Sequence, residues 1–271
     1  MSGLPIIGSD EPWSSRSISD SVVCILAPNP SPMTLDGTNS WIIGTPGADV
    51  IAIDPGPDDE GHLARLVEAG RITQILLTHG HPDHAEGARR LHDLTGAPVR
   101  ALDPAQRLGE EGLGAGDIVA VPDAEVHVIV TPGHTADCVS FYLPRDAAIL
   151  TGDTVLGRGT TVVAWPDGDL GDYLASLRIL REHAERSGSR TILPGHGPAL
   201  QDPVDVLDAY LHHREARLDQ VREAMSTGAR TPDEIVDAVY DDIPDSVRWA
   251  ALLSTRAQLA YLQRVDGLSS A

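Results

Sequence analysis

The sequence predicts an α/β fold in which two sheets are covered by helices, followed by a compact helical region. From residue 22 to about residue 200, short apolar runs alternate with longer stretches of helical spacing, and Gly/Pro turns separate them. Beyond residue 200 the short apolar runs stop and only helical spacing continues. The change of pattern predicts two regions of different architecture.

Ten strands are predicted, each a short apolar run bounded by turn residues: 22–27, 40–44, 50–54, 72–78, 98–101, 118–121, 126–131, 139–143, 148–151 and 191–193. Three helices are predicted among them, each with apolar residues at three-and-four spacing: 58–69, 84–94 and 170–186. Most of the predicted strands run directly into short loops, and these loops contain the histidines and aspartates of interest.

The C-terminal region predicts three helices. Asp202-Pro203 is typical of the start of a long helix, with Asp as the cap and Pro in the first turn. Thr231-Pro232-Asp233-Glu234 has the pattern of a capping box that opens a second helix. A third helix is predicted from Asp245 to a stop at Gly267. We therefore divide the chain into a flexible leader (1–20), a main α/β domain (21–202) and a helical domain (203–271).

Composition and charge limit the classes of function. The net charge is −20, and all 20 basic residues are arginine. This acidity argues against broad non-specific nucleic-acid binding, which depends on basic surfaces that release counterions. We find no run of eighteen apolar residues and no secretory signal, and therefore predict no membrane association. The two cysteines, Cys24 and Cys138, lie in apolar runs without metal spacing, which favours a reduced, cytoplasmic protein.

A cluster of potential metal ligands follows the predicted strand 72–78. His79, His81, Asp83 and His84 fall within six residues. Zinc binds imidazole nitrogen and carboxylate oxygen, and residues two apart in an extended loop can converge on one ion. Without a metal, so many polar groups in one place would only lose hydration. The spacing therefore predicts a metal site.

Three further polar residues occupy equivalent positions after other predicted strands. His134, Asp153 and His196 each lie next to a glycine, where close backbone approach is expected. A carboxylate such as Asp153 can bridge two ions. We predict two zinc ions per chain, although this ligand type does not separate zinc from iron or manganese.

The HxHxDH run followed by single His, Asp and His resembles the ligand series of the metallo-β-lactamase superfamily, over roughly residues 20–200. The resemblance implies an αβ/βα four-layer sandwich. It also implies two metal sites bridged by Asp153, the first at His79, His81 and His134 and the second at Asp83, His84 and His196.

A narrower resemblance concerns the lactamase-β-2-like branch of that superfamily. Residues 29–40 resemble its opening segment, and residues 152–161 resemble its metal-bridge loop. The tail, with Arg214-x-x-Arg217 and the capped helix after it, is similar to the winged-helix appendage of the branch. Some members are single-strand-specific endoribonucleases, so the resemblance implies an RNA substrate.

The expected mechanism uses a hydroxide that bridges the two zinc ions, whose pKa the ions lower to about 7. The hydroxide would attack a carbonyl or phosphoryl centre, and we expect Asp83 to orient it or to carry its proton. Asp54 has two equally open interpretations, as the hydrogen-bond acceptor of a ligating histidine or as a turn cap before Pro55-Gly56.

RNA phosphodiester cleavage is the leading hypothesis for the substrate. It needs groups that hold the phosphate, and we expect these to be Thr38, Asn39, Arg158, Thr160 and Thr161. For Arg158, a solvated loop charge is an equally open interpretation.

Other functions stay open. The alternative is hydrolysis of a thioester, small ester or lactone, of the glyoxalase-II-like type. That branch depends on a basic C-terminal helical domain to bind its anionic substrate. The C-terminal tail of this chain is acidic and fits that requirement poorly. Lactam hydrolysis is disfavoured, because no cysteine occupies a ligand position. A non-catalytic nucleic-acid-binding module is also disfavoured, because no ligand is missing. The sequence leaves the oligomeric state open, a homodimer included.

Overall fold

The first of two sheets contains six strands. The computed structural model describes residues 11–109, 111–240 and 243–267. The strands are β1 (Arg16–Ser17), β2 (Val22–Leu26), β3 (Asn39–Ile43), β4 (Asp49–Ile53), β5 (Arg71–Leu76) and β6 (Val99–Arg100). They lie side by side in chain order. The pairs from β1 to β4 are antiparallel, and β5 and β6 then add in parallel.

The second sheet also has six strands. They are β7 (Ile118–Val121), β8 (Ala124–Val130), β9 (Val139–Leu143), β10 (Ala148–Gly152), β11 (Thr191–Pro194) and β12 (Leu200–Gln201). Their order is again that of the chain, from β12 at one edge to β7 at the other. Only β10 and β11 pair in parallel. All ten predicted strands are confirmed within two residues at each end, and the two that sequence analysis missed, β1 and β12, have two residues each.

The described part of the chain also contains seven α-helices. They are α1 (Glu60–Glu68), α2 (Pro82–Ala85), α3 (Ala88–Thr95), α4 (Leu170–Ser187), α5 (Pro203–Ser226), α6 (Pro232–Val239) and α7 (Arg248–Asp266). The helix predicted at 84–94 is divided into α2 and α3. The capping box at Thr231 is present. Asp202 precedes α5 in the left-handed region, at φ 55°, and its side chain does not cap the helix. None of these helices combines the length and apolar character that crossing a bilayer requires.

Three apolar clusters form a four-layer arrangement of helices, sheet, sheet and helices. Trp41 and Phe141 lie in the cluster between the sheets, where each sheet contributes buried side chains. Leu63 of α1 and Leu91 of α3 cover the outer face of the first sheet. Leu177 of α4 belongs to the cluster on the second sheet. The αβ/βα sandwich expected from the sequence is confirmed.

The helical region shares its core with α4. Leu207 and Tyr210 of α5 and Leu262 of α7 are buried in the same cluster as Tyr173 and Leu177 of α4. The change of sequence pattern near residue 203 therefore marks a change of secondary structure without a break in packing. No residue of 203–240 or 243–267 lies in a β-strand. The helical part of the expectation is confirmed, and the winged-helix assignment stays a prediction.

The segment expected to be a flexible leader is partly held by the fold. Residues 1–10 lie outside the described residues. Trp13 is buried in the cluster between the sheets, and its indole nitrogen donates to Asn39 Oδ1 at 2.8 Å. Arg16 and Ser17 pair with β2 as an edge strand. From Trp13 onward this segment therefore differs from a loose leader, because it buries a large aromatic ring.

Candidate metal centre

All seven predicted ligands come together at the ends of four strands. His79 and His81 follow β5, and Asp83 and His84 lie in the short helix α2. His134 follows β8, Asp153 directly follows β10, and His196 follows β11. Their ligand atoms form three overlapping groups, each within 4.8 Å: His79/His81/His134, His79/His84/Asp153 and Asp83/His84/His196. Local sequence supplies four of the residues, whereas the sheets bring in the other three.

Glycines beside the ligands make this close approach possible. A Cβ on Gly195 would lie 2.8 Å from His84 Cε1 and still closer to Asp153 Oδ1. Gly152 has a φ of +48°, and a Cβ there would lie 2.7 Å from Thr78 Oγ1. Any larger residue would push the strand ends apart.

One carboxylate orients two of the histidines. Asp54 Oδ2 accepts from His84 Nδ1 at 2.8 Å and from the Thr78 hydroxyl at 2.7 Å. Because the hydroxyl donates to Asp54, it is left to accept from His79 Nδ1, which lies 3.0 Å away. Asp54 is fully buried. Of its two open interpretations, the structure shows the acceptor of a ligand-type histidine.

Backbone carbonyls orient two more histidines. His134 Nδ1 donates to Val162 O at 2.8 Å, and His196 Nδ1 donates to Gly37 O at 3.1 Å. With the proton fixed on Nδ1 in this way, the Nε2 lone pair of each ring faces the cluster. His81 is the exception. Its Nδ1 points inward, 3.0 Å from His79 Nε2 and 3.1 Å from His134 Nε2.

The inward-facing atoms fit bound cations. His84 Nε2 and His196 Nε2 lie only 3.2 Å apart. When the two rings are neutral, each carries its proton on Nδ1, and the facing atoms are then lone pairs that repel unless a cation lies between them. Asp153 Oδ1 is buried and has no hydrogen-bond partner. Imidazole and carboxylate together are the donor set of zinc and related divalent metals, so the residues present fit such a group.

Electrostatics favour positive charge at the same place. Burial alone would raise the pKa of Asp153, but His196 and His84 hold it well below its ordinary value. Burial would likewise lower the pKa of His196, yet the charge of Asp153 and hydrogen bonds to Asp153 and Asp83 raise it to about 9. The pKa of His84 is raised for the same reason, by Asp153 and Asp54 against burial. The carboxylates therefore attract positive charge, which a divalent ion supplies.

The side of the cluster near His81 and Asp83 is the most accessible. The side chain of Asp83 is 30% exposed, against 12% for Asp153 and 1% for His196. Asp83 Oδ2 lies 3.1 Å from His196 Nε2. Burial would raise the pKa of Asp83, but the hydrogen bond from His196 and the charge of His84 lower it. Asp83 is therefore an ionised carboxylate at the open face.

Two of the expected substrate contacts are buried instead. The Asn39 side chain accepts from Trp13, and its amide donates to Pro194 O and Gly197 O, both at 2.9 Å. Thr38 is also fully buried and accepts from Asn29 Nδ2 at 3.0 Å. Asn39 thus holds the loop of His196 and differs from the expected phosphate contact, because its polar atoms are already used.

The other three expected contacts lie on the loop after Asp153. Arg158 forms an ion pair with Asp36, so its charge is partly neutralised. The Thr161 hydroxyl donates to Asp153 O at 2.7 Å and so fixes the aspartate from behind. Thr160 lines a cleft beside the cluster, as does Thr161.

Sequence reasoning missed several residues that support the cluster. Thr78 was treated as the end of a strand, although its position directly before His79 was a usable indication. The carbonyls of Gly37 and Val162 leave no trace in a sequence, because every residue carries one. His213 has no ligand spacing in the sequence and therefore no predicted role, yet it lines the cleft with Arg214.

A sequence model described as the metallo-beta-lactamase superfamily matches residues 33–196. The chain is 34% identical to a protein named "Beta-lactamase-like protein 2 homolog" from Caenorhabditis elegans, over 93% of this chain and 87% of the relative. It is also 34% identical to the "Atrochrysone carboxyl ACP thioesterase" of Aspergillus fumigatus, over 85% of this chain and 76% of that protein.

A solved structure has a similar fold. The crystal structure of a metallo-beta-lactamase family protein from Thermus thermophilus superposes with a TM-score of 0.76. The match covers 93% of this chain and 96% of the other, at 21% sequence identity. At that identity the likeness concerns the fold, and here it extends through the helical region.

Proposed function

The chain belongs to the metallo-β-lactamase superfamily and is a hydrolase of that superfamily, and we infer its function from this membership. We propose that it hydrolyses an acyl thioester with two divalent metal ions, zinc being the first metal to test. The observation that carries the proposal is the convergence of seven ligand-type side chains in three overlapping groups. The thioesterase name of one relative directs the choice of substrate.

The proposed ligands divide between two ions. His79, His81 and His134 would hold one ion, and Asp83, His84 and His196 would hold the other, with Asp153 between them. When bound, such ions polarise a carbonyl oxygen and lower the pKa of the attacking water. The hydrogen bonds from Nδ1 to Asp54, Thr78, Gly37 and Val162 would keep the rings in place during the reaction.

Asp83 is the proposed proton acceptor. It is the most exposed carboxylate of the cluster, and its lowered pKa keeps it ionised at neutral pH. It would hold the attacking water by a hydrogen bond and accept its proton. The water oxygen would bond to the carbonyl carbon while the C–S bond breaks. The proton taken up by Asp83 would then pass to the leaving thiolate, so that the products are a carboxylic acid and a thiol and Asp83 is ionised again.

RNA phosphodiester cleavage is the second candidate. It is supported by the similarity of residues 29–40 and 152–161 to the lactamase-β-2-like branch, some members of which cleave single-stranded RNA. The ion pair between Arg158 and Asp36 argues against this candidate, because an RNA phosphate would have to displace Asp36 to reach Arg158. Small esters and lactones need the same ligand set and are tested alongside.

A parallel assay tests the proposal. Zinc-loaded protein is given decanoyl-N-acetylcysteamine, a lactone, a phosphodiester chromogen and single-stranded RNA, and product formation is followed for each. We expect thiol release at least tenfold faster than with metal-free protein. RNA cleavage without thiol release would move the function to the second candidate. No turnover of any of the four substrates would contradict both. Arg158→Gln should slow RNA cleavage and leave thioester hydrolysis unchanged.

A further inference from the structure

A cleft lies beside the metal cluster, between the sandwich and the helical region. Its volume is about 300 Å³, at the lower end of the range for small-ligand sites. Residues 160–162 form one wall, and α5 and α7 supply most of the others, together with Pro32, Met33, Tyr240, Ile243 and Val247. The wall at 160–162 touches the cluster itself, since Thr161 donates to Asp153 O and Val162 O accepts from His134. The cleft therefore shares a wall with the proposed reaction site.

Two arginines of α5 line this cleft without an acidic partner in the described part of the chain. Arg214 is 6% exposed; one of its terminal nitrogens donates to Thr161 O, and its guanidinium lies 4.9 Å from the Tyr173 ring centre. Arg217 donates to Val239 O at 2.8 Å and lies over Tyr240 at 4.2 Å. By contrast, Arg222 of the same helix pairs with Asp266 at 2.9 Å. Within the described ranges, no carboxylate neutralises the charge of either cleft arginine.

Two buried nitrogens in the cleft have no hydrogen-bond partner. They are Arg214 Nε and His213 Nδ1. Leaving a buried polar atom unpaired costs about 1–3 kcal/mol, and more for a charged group. Burial and the charges of Arg214 and Arg217 lower the pKa of His213 to about 4, so the ring is neutral near pH 7. Both residues therefore carry a polar atom that the described residues leave unpaired.

The remaining walls of the cleft are mostly apolar. Val162 lies on the wall next to the cluster, and Val247, Ala250 and Ala251 lie on the wall of the helical region. A small neutral ligand would leave the arginine charges without a counter-charge. A small inorganic anion would leave the apolar walls of the cleft exposed to water. The combination is complementary to an anionic group joined to an apolar body.

We propose that this arginine cleft binds the non-reacting part of the substrate, as an organic anion with an apolar chain or ring. Arg214 and Arg217 would hold the carboxylate or phosphate, and Val162 and the small residues of α7 would contact the apolar body. Assigning the bound anion to the substrate rests on the proposed hydrolase function, whereas binding of the anion does not. The chain has a net charge of −20, so such an anion needs a local positive site to approach.

Binding to metal-free protein tests the cleft directly. Octanoate, octyl phosphate and 1-octanol are titrated by calorimetry, and the first two separate a carboxylate from a phosphate. Arg217→Gln should weaken the preferred anion about tenfold or more, since it removes a charge-assisted hydrogen bond, and should leave octanol unchanged. Arg89→Gln, at an exposed position of α3, is the matched control. Equal binding by wild type and Arg217→Gln, or octanol binding as tightly as both anions, would overturn the proposal.

Kinetics then separate the two proposals. For a thioester whose acyl chain ends in a carboxylate, Arg217→Gln should raise KM about tenfold with little change in kcat, while a short neutral thioester is unaffected. Arg217-dependent octanoate binding without any thioester turnover would retain the cleft and contradict the hydrolase proposal. Thioester turnover with no effect of Arg217→Gln on KM or on anion binding would retain the hydrolase proposal and contradict the cleft proposal. Arg214→Gln is a secondary variant, because Arg214 is buried.

Discussion

His196 belongs to the metal cluster and His213 lines the arginine cleft, and their surroundings have opposite effects on an imidazole. Carboxylates raise the pKa of His196 to about 9, whereas burial and two guanidinium groups lower that of His213 to about 4. One region favours a cation and the adjoining region favours an anion. The net charge of −20 does not predict which ion either region favours. Local charge, fixed by packing, decides what each region binds.

The largest effect should come from Asp153→Asn, which removes the carboxylate that lies between the two groups of histidines. We expect loss of bound metal and a fall in activity on the order of a thousandfold, since metal assistance supplies several kcal/mol. Metal content by mass spectrometry and thiol release measure the two losses. Asp123→Asn, on an exposed turn, is the control and should change neither. Full metal content in the Asp153 variant would contradict the proposed bridging position.

Asp54→Asn tests the outer support of the cluster. It weakens the acceptor shared by His84 and Thr78, so we expect metal affinity to fall roughly 10- to 100-fold. Competition with a chromogenic chelator measures the affinity. Asp49→Asn, at the other end of β4, breaks only the exposed ion pair with Arg71 and should leave metal affinity unchanged. If both variants bind zinc as the wild type does, the rings are held without Asp54.

His213→Gln tests the cleft through its pH dependence. The folded pKa of about 4 lies below the ordinary 6.5, so the unfolded chain binds a proton that the folded chain excludes. The stability from the neutral ring is complete above about pH 6.5 and is lost as pH falls toward 4. We expect the wild type to lose about 1–3 kcal/mol more than the variant over that range, by urea unfolding.

A second histidine with a lowered pKa, His62, provides the comparison for that experiment. Burial also lowers the pKa of His62 to about 4, with Arg65 contributing, but His62 bonds to Ser40 Oγ at 2.8 Å and does not line the cleft. His62→Gln should therefore show the same acid dependence as His213→Gln. Octanoate should reduce the effect of His213 alone, because a bound anion offsets the nearby arginines. An equal response of both histidines to octanoate would place the anion elsewhere.

The sequence by itself determined the strands, most of the helices and the ligand series. Apolar runs with period-two or helical spacing are local, so strand positions such as 118–121 and 139–143 could be read directly. The run from His79 to His84 spans six residues, and its composition alone indicated a metal site. The resemblance of His134, Asp153 and His196 to a known series then completed the set.

Only the tertiary structure decided which side chains support the cluster and which line the cleft. Asn39 and Asp54 had open or mistaken roles, because the partner of a polar side chain depends on which strand lies opposite. The arginine cleft combines the wall at 160–162 with α5 and α7, which lie far apart in the chain. The periodicity of a helix indicates which of its faces is buried but not which element packs against that face. The elements packed against α5 are the reason that Arg214 and Arg217 have no carboxylate partner among the described residues.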